Sequence, residues 1–590
     1  MLHDSNEPFP PHVLREYAML ADGERGALLG PRGDVVWMCA PRWHSDAVFS
    51  DLIGGPGMFG VTPTDLRFVW GGSYEDGTLI WDSRWTTDAG QIGCREALMY
   101  PGEPERAVIL RRIRGLDGPA RVRVVLDARA NFGRHRMTRL ALSDGVWTAR
   151  SGDLRIRLTG AAQARLDDGV LSMEVDVEEG AEHDLMLEVS SVRLPPAPPD
   201  PDVAWIATEE AWRKAVPRMG NTIAADDARQ SYAVLRGMTG ADGAMVAAAT
   251  MGLPERANEK RNYDYRYAWI RDQCFAGEAA AACGALGLLD DAVRFVSGRL
   301  LADDARMRPA YTVDCGRVPD EIELGLPGYP GGSTKVGNWV NKQFQLDAFG
   351  ECLLLFAAAA GLDRLELEHW RAVETCIGAI ELRWREPDAG IWELDNQRWA
   401  HSRLMCVAGL RAIARHAPAA QGSRWAVLAD MITADVSEDC LHPTGRWQRA
   451  PGDERVDGSL LLPIVRGALT PDDVRSAATL SAIHRELGRK GYLYRFSQDA
   501  RPLADAEGAF LLCGFTMATA LHLHGEEKEA VRWFERNRAA CGSPGLFTEE
   551  YDIEQRQLRG NFPQGFVHAA MLEASRRLAE PGGSHAPIVI

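Results

Sequence analysis

Between residues 120 and 190 apolar and polar residues alternate along the chain. In RVRVVLD (121–127), Val122, Val124 and Leu126 fall on one face, and in LRIRLTG (154–160), Leu154, Ile156 and Leu158 do the same. LSMEVDV (171–177) and HDLMLEV (183–189) repeat the pattern. Period two is the side-chain period of a strand, and one apolar face marks a strand buried on one side. Turn sequences such as DDG and EEG separate the runs, which predicts an antiparallel β-sandwich. LPPAPPDP (194–201) then excludes regular structure, and proline this dense makes a stiff, extended linker.

Beyond the linker the period changes. QFQLDAFGECLLLFAAAAG (343–361) sets Leu346, Phe349, Leu353 and Phe356 three and four apart, the stripe of an amphipathic helix. Similar stripes lie near 226–238, 271–286, 288–302, 363–384, 401–416, 423–437, 472–488, 507–524, 525–540 and 562–578. No strand-like run of comparable length and no fixed-period repeat interrupts them. A closed ring of helix pairs is one way to pack so many helices, although periodicity alone leaves the arrangement open. The expected division is a sandwich over 1–194, a linker with its own helix over 195–225, and a helical domain over 226–590.

Bulk properties narrow the function. A chain of 590 residues is too long for one ordinary core, and 46% hydrophobic with 25% charged residues is a globular composition. A formal net charge of -17 repels nucleic acid and anionic lipid and suits a small neutral substrate. The start, MLHDSNEPFPPHVLREYAML, lacks the apolar centre of a signal peptide, and no run of 18 apolar residues occurs, so a cytoplasmic protein with no membrane partner is expected. The eleven cysteines are scattered without a C-x-x-C pair, as reduced thiols in a cytoplasmic protein are. No metal site or cofactor is called for, and a homo-oligomer is compatible with the sequence. Seventeen tryptophans is a high number; most are expected in the core, and an excess of indoles also suits stacking on sugar rings.

Three stretches carry candidate chemistry. NYDYRYAWIRDQCF (262–275) sets aromatic and charged residues just ahead of an Ala-rich helix. As structure alone it is a helix N-terminus with Asp272 near the positive dipole end. As chemistry, Arg271 and Asp272 would bond sugar hydroxyls while Trp269 and the tyrosines supply flat walls. In PDAGIWELD (387–395), Glu393 follows Trp392. On a turn such a Glu is ordinarily exposed; pressed against the indole it would be partly desolvated, which raises a carboxyl pKa towards that of a general acid. In GLFTEEYDIEQRQLRGNFPQGFVHAAM (545–571), Glu549 or Glu550 offers a second carboxylate in what is otherwise an acidic turn. Two carboxyls in unlike environments beside an aromatic cleft point to glycoside hydrolysis. No nucleophile elbow, Walker loop or Cys/His ligand spacing competes, and His401 and His568 read as core or capping residues.

The sequence resembles glycoside hydrolase family 15, the group of glucoamylases, glucodextranases and bacterial trehalases. LLGPRGDVVWMCAPRWHSDAVF (28–49), RNYDYRYAWIRD (261–272), VGNWVNKQFQLDAFGE (336–351), GIWEL, ADAEGAFLLCGF (504–515) and EEYD…GNFPQGFVHAAM match its motifs in order. The resemblance implies a β-sandwich followed by an (α/α)6 barrel, and inverting, exo-acting release of glucose from small α-glucosides such as trehalose, isomaltose or maltose. It puts the general acid on Glu393 and the general base on Glu549, with Glu550 in the place of the family's Gln. Arg271 and Asp272 then hold the terminal glucose, Tyr265 lies near the water, Trp269 and Trp392 are pocket walls, and Arg495 lies beyond the scissile bond. The Asn-Phe-Pro string is expected to cap the following helix. The chain departs from the family pattern at Glu259-Lys260, at Tyr263 where the family has Trp, at Val407, and at Gly252 in GLPE, all expected around the cleft. A disaccharide phosphorylase of similar architecture and an inactive glycan-binding relative are the alternatives.

Overall fold

The computed structural model describes residues 12–256, 262–470, 472–498, 502–503 and 507–581. Two antiparallel eight-stranded sheets occupy the first third. One runs Ala18–Ala21, Gly26–Leu29, Asp34–Cys39, Met58–Pro63, Ala120–Asp127, Val170–Val177, Arg165–Asp167, with Ala47–Phe49 paired beside Asp34–Cys39. The other runs Thr138–Ser143, Val146–Ser151, Leu154–Thr159, Glu182–Ser190, Arg106–Asp117, Gly90–Leu98, Trp81–Thr87, Val69–Tyr74. All four strands anticipated from alternation are present. Val124 stands opposite Val61 on one side and Met173 on the other, and it shares one buried core with Ile109 and Leu187 of the second sheet.

The strands before residue 60 showed no alternation, and the packing explains it. Along Ala18–Ala21, Ala18 and Leu20 enter the core between the sheets, while Met19 and Ala21 enter a core shared with the helical part. Both faces are therefore apolar, and the period-two signal is erased.

Proline ends the sheet region, and Asp200 accepts the Val203 amide at 3.1 Å to cap α1 (Pro201–Ala215). Twelve helices follow among the described residues: α2 (Ala225–Gly237), α3 (Ile270–Ala282), α4 (Leu286–Asp303), α5 (Asp347–Gly361), α6 (Leu367–Arg383), α7 (Ala400–Ala414), α8 (Ala419–Asp439), α9 (Leu461–Val465), α10 (Val474–Leu487), α11 (Leu511–Leu523), α12 (Glu527–Arg538) and α13 (Gly565–Arg577). The odd-numbered helices from α3 to α13 touch in sequence, and α13 closes the ring on α3. This is the inner ring of an (α/α)6 barrel, and the even-numbered helices lie outside it. The division is written in the residues. α10 buries Ser476, Thr479, Leu480, Ile483 and Leu487, one stripe, whereas α11 is buried from Leu511 to His522. Inner helices approach closely where side chains are absent: a Cβ on Gly350 of α5 would lie 2.4 Å from the Met405 carbonyl carbon of α7. α9 was not anticipated, because five fully buried residues are too short to display a stripe. The Asn-Phe-Pro expectation is corrected. α13 starts at Gly565 after Gln564, and Asn561 Oδ1 instead accepts the Thr250 hydroxyl at 3.1 Å. Among the described residues no helix is long and apolar enough to cross a membrane, and all eleven cysteines are free thiols.

Candidate active site

The loop ahead of α3 is pinned from behind. Asp264, fully buried, accepts from Arg266 Nη2 at 2.7 Å, the Tyr267 hydroxyl at 3.1 Å and the Gly337 amide at 3.0 Å. Arg266 also donates to the Ser45 carbonyl at 2.6 Å, which ties the loop to the β-sandwich. With Asp264 and Arg266 committed to that side, Tyr263 and Tyr265 turn into the mouth of the barrel, their rings parallel and 6.0 Å apart. Trp269 precedes the first turn of α3, which carries Arg271 and Asp272.

Glu393 comes from the loop between α6 and α7. Gly390 has φ +65°, and a Cβ there would meet Trp399 at 2.8 Å, so the tight turn needs glycine. Glu393 itself has φ +54°, a left-handed backbone that non-glycine residues seldom adopt and that clusters at functional sites. Its carboxyl meets three N–H donors. Trp269 Nε1 donates to Oε1 at 2.9 Å, Gln345 Nε2 to Oε1 at 3.3 Å and Gln343 Nε2 to Oε2 at 3.3 Å. The indole on Glu393 is thus that of Trp269. The adjacent Trp392 turns its ring nitrogen to Asp457 Oδ1, 2.7 Å away, because neighbouring side chains on a turn point apart.

The acidic pair separates. Glu549 lines the barrel mouth, whereas Glu550 begins the short strand Glu550–Asp552 and is buried behind it. There Glu550 accepts from Arg495 Nη2 at 3.2 Å and from the Gly508 amide at 2.8 Å. Burial first, and then the charge of Glu255, raise the Glu550 pKa well above the usual carboxylate range. Arg495 also holds Glu507 at 2.7 Å and Glu255 at 3.7 Å, and it lies over the Phe510 ring at 4.7 Å.

Glu393, Glu549, Tyr265, Trp269, Arg271, Asp272, Trp392 and Arg495 all line one cavity of about 160 Å³. Two smaller cavities of about 20 and 10 Å³ have room for a water but not for a sugar. Asp272 Oδ1 reaches no donor within the protein, and burial pushes that carboxyl up to about 7. A sugar hydroxyl can supply the missing donor. Tyr265 is held well above its usual pKa by burial and by Glu549, Glu255 and Glu393, so its hydroxyl keeps its proton. His401 and His568 are buried and neutral, the latter taking the Phe547 amide at 3.3 Å.

Several lining residues had been given no role from the sequence: Gln343, Trp339, Gln564, Glu255, Phe510 and Phe566. The backbone at Gln343 is extended (φ −100°, ψ 148°), so Gln343 and Gln345 share a face while Phe344 turns away beneath Arg383, 3.4 Å from its ring. Gln564 sits in the cavity wall with Oε1 unpartnered. Among the departures from the family pattern, Tyr263 lines the cavity, Val407 is buried in the core of α7 away from it, and Glu259-Lys260 lie outside the described residues. The Gly252 carbonyl accepts Asn262 Nδ2 at 2.9 Å and so anchors the motif loop.

Residues 228–576 match the family model for glycosyl hydrolases family 15, and residues 10–187 match the trehalase-like N-terminal model. A trehalase of Mycobacterium tuberculosis (strain ATCC 25618 / H37Rv) is 30% identical, over 96% of this chain and 89% of that one. A trehalase of Thermoplasma acidophilum (strain ATCC 25905 and its equivalents) is 26% identical, over 94% and 98%. In fold the chain is similar to a bacterial glucoamylase solved in complex with acarbose. The TM-score is 0.69 at 13% identity, over 98% of this chain and 96% of that one.

Proposed function

The chain belongs to glycosyl hydrolases family 15 and is a hydrolase of α-glucosides, and from that membership we propose that it cleaves trehalose, with Glu393 as general acid and Glu549 as general base. The observation that carries the assignment of roles is the pair of carboxyls in one cavity with unlike surroundings. Glu393 is held in place by three N–H groups, and Glu549 comes from a different loop of the same cavity, where its charge acts on Tyr265. Trehalose is favoured by near full-length similarity to trehalases, including the N-terminal domain.

In this reading the terminal glucose enters the closed end of the cavity. Asp272 Oδ1 accepts a hydroxyl, Arg271 donates to another, and Trp269 and Trp392 flank the ring. Glu393 gives its proton to the glycosidic oxygen as the C1–O bond breaks. Water on the opposite face forms the new C1–O bond and passes a proton to Glu549. Positive charge develops on the ring between them, and the inverted product is β-glucose. The second sugar leaves past Trp339, half-exposed at the rim with Lys342 Nζ 3.7 Å from its ring.

The test is product analysis on trehalose, isomaltose and maltose, with and without inorganic phosphate. The expected result is glucose as sole product and the highest kcat/KM on trehalose. Glucose 1-phosphate would identify a phosphorylase, and a clear preference for isomaltose or maltose would remove trehalose as the substrate.

A further inference from the structure

The environment of Glu393 holds a hydrogen-bond chain whose direction is fixed at one end by a residue that can only donate. Arg271 Nη1 lies 2.8 Å from Gln345 Oε1. A guanidinium has no acceptor, so the oxygen of the Gln345 amide must face it. That orientation sends Gln345 Nε2 the other way, to Gln343 Oε1 at 2.9 Å and Glu393 Oε1 at 3.3 Å. With its oxygen taken by Gln345, Gln343 in turn presents Nε2 to Glu393 Oε2 at 3.3 Å. Neither amide can flip without setting donor against donor. The chain is also anchored mechanically, since the Ala389 amide donates to the Phe344 carbonyl at 2.8 Å and so ties the QFQ segment to the loop that carries Glu393.

Resting on the reading of Glu393 as the acid, we propose that Gln345 is a positioning residue that couples the sugar-binding Arg271 to the acid carboxyl. Arg271 is itself held by Asp347 at 3.5 Å from beneath. A glucose hydroxyl that draws on Arg271 therefore pulls on a chain ending at the two oxygens of Glu393. Gln345 aligns the acid with the leaving oxygen and exchanges no proton. Arg271 and Asp272 of α3 and Tyr265 of the motif loop interact electrostatically with Glu393, and Glu255, Glu321, Glu549 and Arg495 line the same cavity. None of them replaces the amide contact.

The experiment compares wild type, Gln345→Leu, Gln345→Glu and Glu393→Gln on trehalose and on α-glucosyl fluoride, whose departing fluoride needs little protonation. Gln345→Leu is expected to lower kcat on trehalose about 10-fold or more, without exceeding the 10²–10⁴ that the general acid itself contributes. KM should stay within about threefold, and fluoride turnover should be retained, which also shows that the variant folds. Gln345→Glu places a carboxylate beside Glu393, and the alkaline limb of its kcat/KM profile should move up by roughly one pH unit. Equal losses on both substrates, a KM effect alone, or an unmoved alkaline limb would overturn the proposal. Were Glu393→Gln itself to hit both substrates equally, the acid assignment would fall and this inference with it. Discrimination by Glu393→Gln but none by Gln345→Leu would overturn this inference alone.

Discussion

Replacing Glu393 by Gln keeps the shape of the side chain and removes the transferable proton. The surroundings determine what else changes. Oε1 accepts from Trp269 and Gln345, and Oε2 from Gln343 alone. An amide NH2 placed at Oε1 would oppose two donors; placed at Oε2 it opposes one. The Gln therefore settles with its oxygen at Oε1, keeps two of the three bonds, and loses about 1 kcal/mol of stability. The catalytic loss is larger. Withdrawing a general acid costs about 10²–10⁴ in rate, or about 2.7–5.4 kcal/mol of barrier, when the leaving group is a sugar alkoxide. It costs far less when the leaving group is fluoride. Initial rates of glucose release from trehalose and of fluoride release from α-glucosyl fluoride, with a thermal melt of the same samples, separate the two effects. Trehalose activity within about tenfold of wild type, or equal losses on the two substrates, would refute the role of Glu393 as acid.

Glu549→Gln should abolish trehalose hydrolysis with little change in melting temperature, whereas Glu550→Gln should retain more activity and lose stability, since Glu550 serves Arg495 and the Gly508 amide; a reversed order in steady-state rates would move the base by one residue. Arg495→Met removes the cation within 4 Å of Glu255, Glu507 and Glu550 and should cost about 3–5 kcal/mol in denaturant unfolding, a result below about 1 kcal/mol contradicting the reading. Burial lifts Asp388, in the loop that carries Glu393, from 3.8 to about 8. The neutral form is favoured in the fold, so its stabilisation is complete below about pH 4 and is lost as pH rises through 8, at up to about 1.4 kcal/mol per pH unit. The melting temperature of Asp388→Asn relative to wild type should therefore climb between pH 5 and 8, and a difference independent of pH would show that Asp388 does not titrate there.

The parts of the fold legible in the sequence were those with one buried face. Val122, Val124 and Leu126 announced a strand because their neighbours are solvated, and Leu346, Phe349, Leu353 and Phe356 announced a helix by the same contrast. Where both faces are apolar, as from Ala18 to Ala21 or Leu461 to Val465, the contrast vanished and so did the prediction. The site followed a similar logic. Charged and aromatic residues in loops stood out, and the eight that were named line one cavity. Gln343, Gln345 and Gln564 did not, because a neutral amide carries no charge anomaly and its meaning depends on which donor faces it in space. Which tryptophan touches Glu393 was equally out of reach, since Trp269 is remote in the chain and only the folded barrel brings it within 2.9 Å.

Inversion by a water placed between Glu549 and the sugar is the central claim, and the anomeric configuration of the first products tests it most directly. In trehalose both glucoses are α. The sugar that leaves keeps its own C1–O bond and departs as α-glucose, while the sugar attacked by water is inverted to β. Proton NMR of the anomeric signals, recorded before mutarotation, should therefore show α- and β-glucose in equal amounts from the start. Accumulation of α-glucose alone would require retention through a covalent intermediate and would contradict the account.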